Sequence, residues 1–134
     1  SMINARGETV DEKPSFRTAF MKQRCLIPAD GYYEWVKLAD RKQPMLIERP
    51  NRELFCFAGL WEQNRSLTTC TIITTAATEA MSAIHDRMPV VINPEDYSCW
   101  LDPTFREREW LKQRLTAPED GYFKTSPVER VSGE

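Results

Sequence analysis

Apolar and polar positions along the chain fall mostly into short alternating runs, the pattern of half-buried strands. Thr68-Thr69-Cys70-Thr71-Ile72-Ile73-Thr74-Thr75 is the most β-rich, with threonine at nearly every other place. Pro44 to Glu48 and Leu54 to Trp61 read as two further strands, separated by Pro50-Asn51-Arg52. Cys25-Leu26-Ile27-Pro28 is an apolar run that feeds an Asp30-Gly31 turn, and Tyr32 to Lys37 follows as a strand rich in aromatic and β-branched residues. Met2 to Arg6 fits the end of a strand, and Gly121 to Lys124 a last strand. Strands in succession with short turns imply a largely antiparallel sheet or an open barrel.

Helical spacing is confined to brief stretches. Residues 15–23 place Phe16, Phe20 and Met21 on one side behind a Ser15 cap, and Ala76 to Ala83 is helix-like. Asn93-Pro94 and Asp102-Pro103 each set a cap residue before a proline at the first helical position. The second of these predicts a packing helix from Pro103 to Leu115, anchored by Phe105, Trp110, Leu111 and Leu115. With no repeat, low-complexity tract or long linker, residues 1–134 read as one domain.

Composition narrows the class. At 41% hydrophobic and 28% charged the chain matches an ordinary globular protein, and no apolar run approaches the roughly 20 residues of a membrane span. The expectation is a soluble, intracellular protein with no membrane partner. Four cysteines (25, 56, 70, 99) without a CxxC spacing, and a single histidine, argue against a zinc site and for reduced, mostly buried thiols. A net charge of -2 gives no global pull toward nucleic acid, so any such contact needs a local patch. Lys13, Arg17, Lys22 and Arg24, with no acid among them, are either such a patch or the solvated face of a helix. Ser1-Met2-Ile3-Asn4 reads as an entry into an ongoing strand, and Val128 to Glu134 stops as abruptly. The chain is therefore expected to be part of a longer protein.

Candidate chemistry gathers in three turn-adjacent places. Around Asp30-Gly31-Tyr32-Tyr33-Glu34-Trp35, strand alternation puts Tyr32 and Glu34 on one face and Tyr33 and Trp35 on the other. A carboxylate among large rings loses water, which favours its neutral form and raises its pKa toward a range useful for proton transfer. The alternative is a solvated strand glutamate beside a hydrophobic cluster. Asn4 and Arg6 share a strand face and offer an amide and a planar guanidinium fork suited to phosphate oxygens, or are ordinary surface side chains. His85-Asp86-Arg87 holds the lone histidine, which a carboxylate could orient for acid–base work or which has only a structural duty. No GxSxG, Gly-rich phosphate loop or HExxH is present.

The trio Asn4-Ala5-Arg6, Ala29 to Trp35 and Ile84-His85-Asp86-Arg87-Met88-Pro89, with Glu8-Thr9, Lys13 to Phe16, Arg24 to Pro28, Phe57 to Trp61 and Thr74 to Ala77 between them, resembles the SRAP family, the SOS response-associated peptidase domains. The resemblance covers nearly the whole chain. It implies an α+β fold with a mostly antiparallel, twisted, barrel-like β core flanked by short helices. It also implies a monomer without cofactor or metal, cytoplasmic and nucleoid-associated, whose partner is single-stranded DNA with abasic sites. In that family an N-terminal cysteine condenses with the sugar aldehyde to a thiazolidine, a covalent protein–DNA crosslink. Carried over, Asn4, Glu34 and His85 are the catalytic set. Asn4 holds the aldehyde or amine, Glu34 transfers protons during Schiff-base formation and ring closure, and His85 works on the sugar oxygen. Arg6 and Arg87 grip phosphates beside the lesion. This sequence departs in having no cysteine near residue 1, so the chain by itself is expected to be inactive in crosslinking. A self-processing peptidase and a non-catalytic single-stranded nucleic-acid binding module are the competing readings.

Overall fold

In the computed structural model of the chain, residues 3–129 are described, and of Ile3 only the backbone; Met2, assigned above to the first strand, and residues 130–134 of the abrupt end lie outside them. The strands are β1 (Ile3–Arg6), β2 (Arg24–Ala29), β3 (Tyr32–Lys37), β4 (Lys42–Glu48), β5 (Phe55–Asn64), β6 (Leu67–Ala76), β7 (Arg87–Pro89), β8 (Val91–Ile92) and β9 (Lys124–Pro127). The helices are all short: α1 (Arg17–Lys22), α2 (Glu79–Ser82), α3 (Tyr97–Leu101) and α4 (Arg108–Gln113). Among the described residues no helix is long and apolar enough to cross a membrane.

One sheet has six strands in the order β1-β6-β5-β2, with β7 on β6 and β8 on β5, and the other has three in the order β3-β4-β9. Every pairing is antiparallel except that of β1 with β6. The fold is therefore α+β and mostly antiparallel, as expected; the sheets form an open pair and not a closed barrel. Asp30-Gly31 is the crossing between the sheets, since β2 pairs with β5 while β3 pairs with β4. A Cβ at Gly31 would sit 3.1 Å from the Ile47 carbonyl oxygen, so a glycine lets the crossing run close to β4.

Alternation along the strands divides the large sheet into two faces. On one, Ala5, Ala58, Leu60, Ile73 and Ile92 pack with Val10, Phe20, Trp100, Leu111 and Leu115 from the helical side. On the other, Phe55, Phe57 and Val91 pack with Ile27, Ile72, Tyr122, Phe123 and, from the small sheet, Tyr32. Tyr32 meets Phe57 and Phe123 edge-on with ring centroids 5.6 and 5.8 Å apart, the favoured geometry for aromatic pairs.

Arg24 belongs to neither of the roles considered for the basic set. Its side chain is buried, and it donates to the carbonyls of Phe20 (2.8 Å), Met21 (3.0 Å), Trp100 (2.7 Å), Asp102 (2.7 Å) and Phe105 (2.8 Å). These include carbonyls in the last turns of α1 and α3, which have no partner within their own helices, so one guanidinium caps both. Lys13, Arg17 and Lys22 lie on the surface.

The same arginine explains the largest difference from the sequence reading. The predicted helix from Pro103 to Leu115 begins only at Arg108, because the carbonyls of Asp102 and Phe105 point at Arg24 and Asp102 closes a local turn on Thr104 (2.9 Å). Ser15 makes no cap either: α1 starts after Phe16, without a side-chain cap. The stretch Ala76 to Ala83 narrows to α2 because Ala76 ends β6 and Thr78 supplies the cap, accepting from the Met81 amide (3.3 Å). The last strand starts at Lys124 and not at Gly121, since Gly121 takes a positive φ of 89° that ends any extended run.

Candidate functional site

Each ladder partner shares a face with its neighbour on the next strand, and this places the first motif. Asn4 is opposite Ile72 and Arg6 opposite Thr74, while Ala5 is opposite Ile73. Ala5 and Ile73 are buried in the helix-covered core, so Asn4 and Arg6 must project from the other face, where both are exposed. That face turns toward the small sheet. Consecutive same-side residues on a strand are about 6–7 Å apart, so amide and guanidinium stand one step from each other along β1.

Glu34 reaches the same space from β3. It shares a face with Tyr32, whose ring is packed on Phe57 of the large sheet, and its own carboxylate is half-buried. Burial is the main cause that raises the Glu34 pKa above the ordinary carboxylate range; the nearby His85 offsets part of that rise. Burial likewise pushes the Tyr32 phenol up, with Glu34 adding to it. Tyr33 and Trp35 point away to the outer face, with their rings 6.4 Å apart. Of the three rings around Glu34, only Tyr32 shares its face.

His85 arrives on the connection between α2 and β7. Two amides, of Ile84 (3.0 Å) and His85 (3.2 Å), donate to the Met81 carbonyl, and Ala77 N donates to Asp86 O at 2.9 Å, which closes the connection on itself. The imidazole Nδ1 lies 3.9 Å from Glu34 Oε2 and 3.4 Å from Asp86 Oδ1. The same nitrogen lies 3.1 Å from the Arg87 carbonyl oxygen and 3.2 Å from the Arg87 amide nitrogen. One main-chain residue therefore offers Nδ1 an acceptor and a donor, so either neutral tautomer finds a partner without the ring moving.

Arg87 is tied down more firmly than the sequence suggests. Its Nη1 and Nη2 donate to the two carboxylate oxygens of Glu8, both at 2.8 Å, and Nη2 also reaches Thr74 O (3.0 Å) and Thr74 Oγ1 (3.2 Å). Arg6 stands beside Thr74 from β1. A series of contacts thus runs from Glu34 through His85 and Arg87 to Thr74, and Arg6 is opposite Thr74 in the ladder, so residues of the three motifs are linked on one side of the large sheet. Glu34 and His85 approach each other directly. Asn4 lies two residues before Arg6 on the same face of β1.

Glu8 and Thr74 enter the sequence reading only as part of the text that carries the resemblance, with no role assigned to either. The available signal was Glu8 lying two positions after Arg6, just past the end of β1, where it continues the strand's edge. A cavity of about 960 Å³ lies elsewhere: Arg49, Asp96, Tyr97, Arg114 and Tyr122 are among its lining, and none of Asn4, Arg6, Glu34, His85 or Arg87 is. Among the described residues no group of three or more His, Cys, Asp or Glu side chains is placed to hold a metal.

Comparison with known proteins gives a consistent result. A family model described as SOS response associated peptidase (SRAP) matches residues 1–133. The chain is 48% identical over 125 residues to the abasic site processing protein YoqW of Bacillus subtilis, covering 89% of this chain and 55% of that protein. It is 32% identical over 122 residues to the abasic site processing protein YedK of Escherichia coli, covering 88% and 50%. A crystal structure of a protein from Bacteroides thetaiotaomicron superposes with a TM-score of 0.85 at 29% identity, over 94% of this chain and 58% of that one. A phage-related protein from Bordetella bronchiseptica does so with a TM-score of 0.80 at 31% identity, over 96% and 64%. The chain spans about half the length of the relatives YoqW and YedK. By sequence and by fold, the chain belongs to the SOS response associated peptidase (SRAP) family.

Proposed function

We propose that this chain is the acid–base and DNA-holding part of a protein that recognises abasic sites in single-stranded DNA and joins them covalently to an N-terminal cysteine. The observation that carries the reading is the approach of Glu34 and His85 across the cleft, 3.9 Å apart, with the Glu34 carboxyl raised by burial. The naming of relatives such as YoqW and YedK as abasic site processing proteins supports the choice of substrate.

The chemistry asks for proton transfers at two places. As the deoxyribose ring opens to its aldehyde, His85 protonates the ring oxygen while the anomeric hydroxyl gives its proton to water, with Asp86 and the Arg87 main chain holding the imidazole. The α-amine of the cysteine adds to the aldehyde carbon, one of its protons passing to the carbonyl oxygen; a neutral Glu34 then protonates the departing hydroxyl and takes back the remaining N–H proton, so that one water leaves and an imine forms. The thiol then adds to the imine carbon, its proton passing through Glu34 to the nitrogen, and the thiazolidine closes. Positioned acid–base groups contribute on the order of 10²–10⁴-fold to such steps, and burial raises the Glu34 carboxyl, so it holds its proton more readily than an ordinary carboxylate. The Asn4 amide holds the aldehyde oxygen or the amine.

Arg6 grips a phosphate next to the lesion, with Arg87 adding its field at the other side of Thr74. Cys25, Cys56, Cys70 and Cys99 are internal and have no α-amine, so none closes a thiazolidine, and burial holds the Cys25 thiol up at about 11.

The test uses the protein carrying its N-terminal cysteine, mixed with an abasic oligonucleotide and resolved by denaturing electrophoresis. A shifted band that is lost or slowed on the order of 10²-fold or more in Glu34→Gln supports the assignment. An undiminished band in a Glu34→Gln, Asn4→Ala double variant overturns it. The family's description as a peptidase favours one further reading, in which the same pair removes residues ahead of the cysteine; mass spectrometry of the Glu34→Gln product, still carrying those residues, would favour it.

A further inference from the structure

The Glu8–Arg87 pair does something for the cleft that neither residue's own chemistry requires. Glu8 sits where the parallel ladder of β1 on β6 runs out. The Gly7 amide donates to Thr74 O (2.8 Å), the Thr9 amide turns back to Arg6 O (3.1 Å), and Lys112 Nζ donates to the carbonyls of Gly7 (2.9 Å) and Glu8 (3.0 Å). Lys112 is itself fixed by Asp11 (2.8 Å), which also pairs with Arg108 (2.7 Å). The backbone of Glu8 is therefore held on three sides before its side chain is considered.

The side chain then gives both oxygens to the Arg87 fork, a bidentate geometry that fixes the guanidinium in plane and in distance. Arg87 is the residue whose amide and carbonyl flank His85 Nδ1. His85 has no comparable anchor of its own: half its side chain is exposed, and Asp86 beside it is almost fully in solvent. The fixed point from which the imidazole is placed is the Arg87 main chain.

We infer that Glu8 is a positioning residue: through its two-point grip on Arg87 it docks the 84–87 connection against β1 and β6, and so sets the His85 ring in register with Glu34. Glu8 touches no reacting atom in this arrangement. It acts through Arg87, and it also leaves Arg87 charge-paired, so that Arg6 is the cleft arginine left to meet a phosphate directly. The inference rests on reading Glu34 and His85 as the working pair, but its test needs no DNA.

The chain has a single histidine, so its imidazole signals are unambiguous in nuclear magnetic resonance of isotope-labelled protein. In the unaltered chain we expect ring-proton contacts from His85 to the Glu34 side chain. In Glu8→Gln, which keeps size but loses charge and one acceptor oxygen, those contacts weaken or vanish and the ring-nitrogen shifts move toward those of a free imidazole. Glu8→Asp, which keeps the charge, restores part of the pattern. Glu8→Gln added to Arg87→Lys changes nothing further, because the fork through which Glu8 acts is already gone. The Trp100 Nε1–H, bonded to the Cys25 carbonyl at 2.8 Å in the opposite core, reports whether each variant is folded.

His85 signals in a folded Glu8→Gln that superpose on those of the unaltered chain would overturn the inference. So would an additive effect in the double variant. If Glu8→Gln fails to fold, Glu8→Asp decides by the same contacts: their weakening supports the grip, their full retention sinks it. Loss of these contacts alongside normal reaction with abasic DNA would instead leave the positioning intact and remove the catalytic reading of His85.

Discussion

The two faces of the six-stranded sheet are made by the same strands, yet one is apolar throughout beneath the helices, while the other joins an aromatic cluster to a polar stretch. Toward the helices, Ala5, Leu60, Ile73 and Val90 close on Phe20, Trp100 and Leu111, and these side chains are essentially dry. Toward the small sheet, one residue away along each strand, stand the exposed Asn4 and Arg6 and the buried Thr74, on the face that also carries the packed rings of Phe55 and Phe57. The difference teaches how little backbone the site needs. Because side-chain direction alternates with a period of 2, the buried Ala5–Ile73 pair fixes where Asn4 and Arg6 point. A slip of one residue would bury the guanidinium and expose the core. The larger buried cluster lies on one face, and the candidate site residues lie on the other.

If that division is real, damage to the helix-covered face should cost stability without redirecting the cleft. The largest effect is expected for Trp100→Ala, which empties a fully buried site and breaks the bond to the Cys25 carbonyl: about 3–5 kcal/mol, read from urea unfolding. Next comes Arg24→Met. It leaves the buried carbonyls of Trp100, Asp102 and Phe105 without their donor and should cost about 1–3 kcal/mol, seen as a lower urea midpoint. A loss as large from Arg6→Ala would break the comparison, since that side chain lies in the open cleft.

Acid should affect the cleft side more gently. Bonding to Arg87 lowers the Glu8 carboxyl from 4.5 to about 2, so the folded form holds its proton more weakly than the unfolded one. The contribution is present above the unfolded value and lost as pH falls from about 4.5 to about 2. Nearly half of the Glu8 side chain is in solvent, and the loss should be about 1 kcal/mol, absent in Glu8→Gln.

Glu34 should behave the other way and show the smallest effect. Its folded carboxyl is raised by burial, so ionising it opposes folding as pH rises above the unfolded value of 4.5. Glu34→Gln should raise Tm slightly at pH 7, and the gain should disappear in acid, where the native carboxyl is neutral too. A variant that loses function while gaining stability marks a carboxylate kept for chemistry; a fall in Tm at pH 7 would mean that Glu34 is a structural partner.

The strands were largely legible because β-branched and aromatic alternation is local, and Tyr32–Lys37 falls where the pattern predicts it. The three motif segments were legible for the same reason: each sits beside a turn that short-range chemistry marks. What escaped depends on distant partners. Nothing near Asp102 in the sequence announces that Arg24, 78 residues away, will take its carbonyl and delay α4 to Arg108. Nothing near Arg87 announces Glu8, 79 residues away, and so the ion pair that holds the rim of the cleft was invisible. The parallel pairing of β1 with β6 is equally non-local, and a largely antiparallel reading did not say which pair departs from it.

The most direct test of the central claim is to titrate the labelled chain with a single-stranded oligonucleotide carrying a tetrahydrofuran abasic analogue, which cannot react, and to map which resonances move. The account predicts shifts at Asn4, Arg6, Glu34 and His85, weaker with the intact oligonucleotide and diminished by salt as phosphate contacts require. Shifts confined to the Arg49–Arg114 cavity, or none at residues 4, 34 and 85, would contradict it.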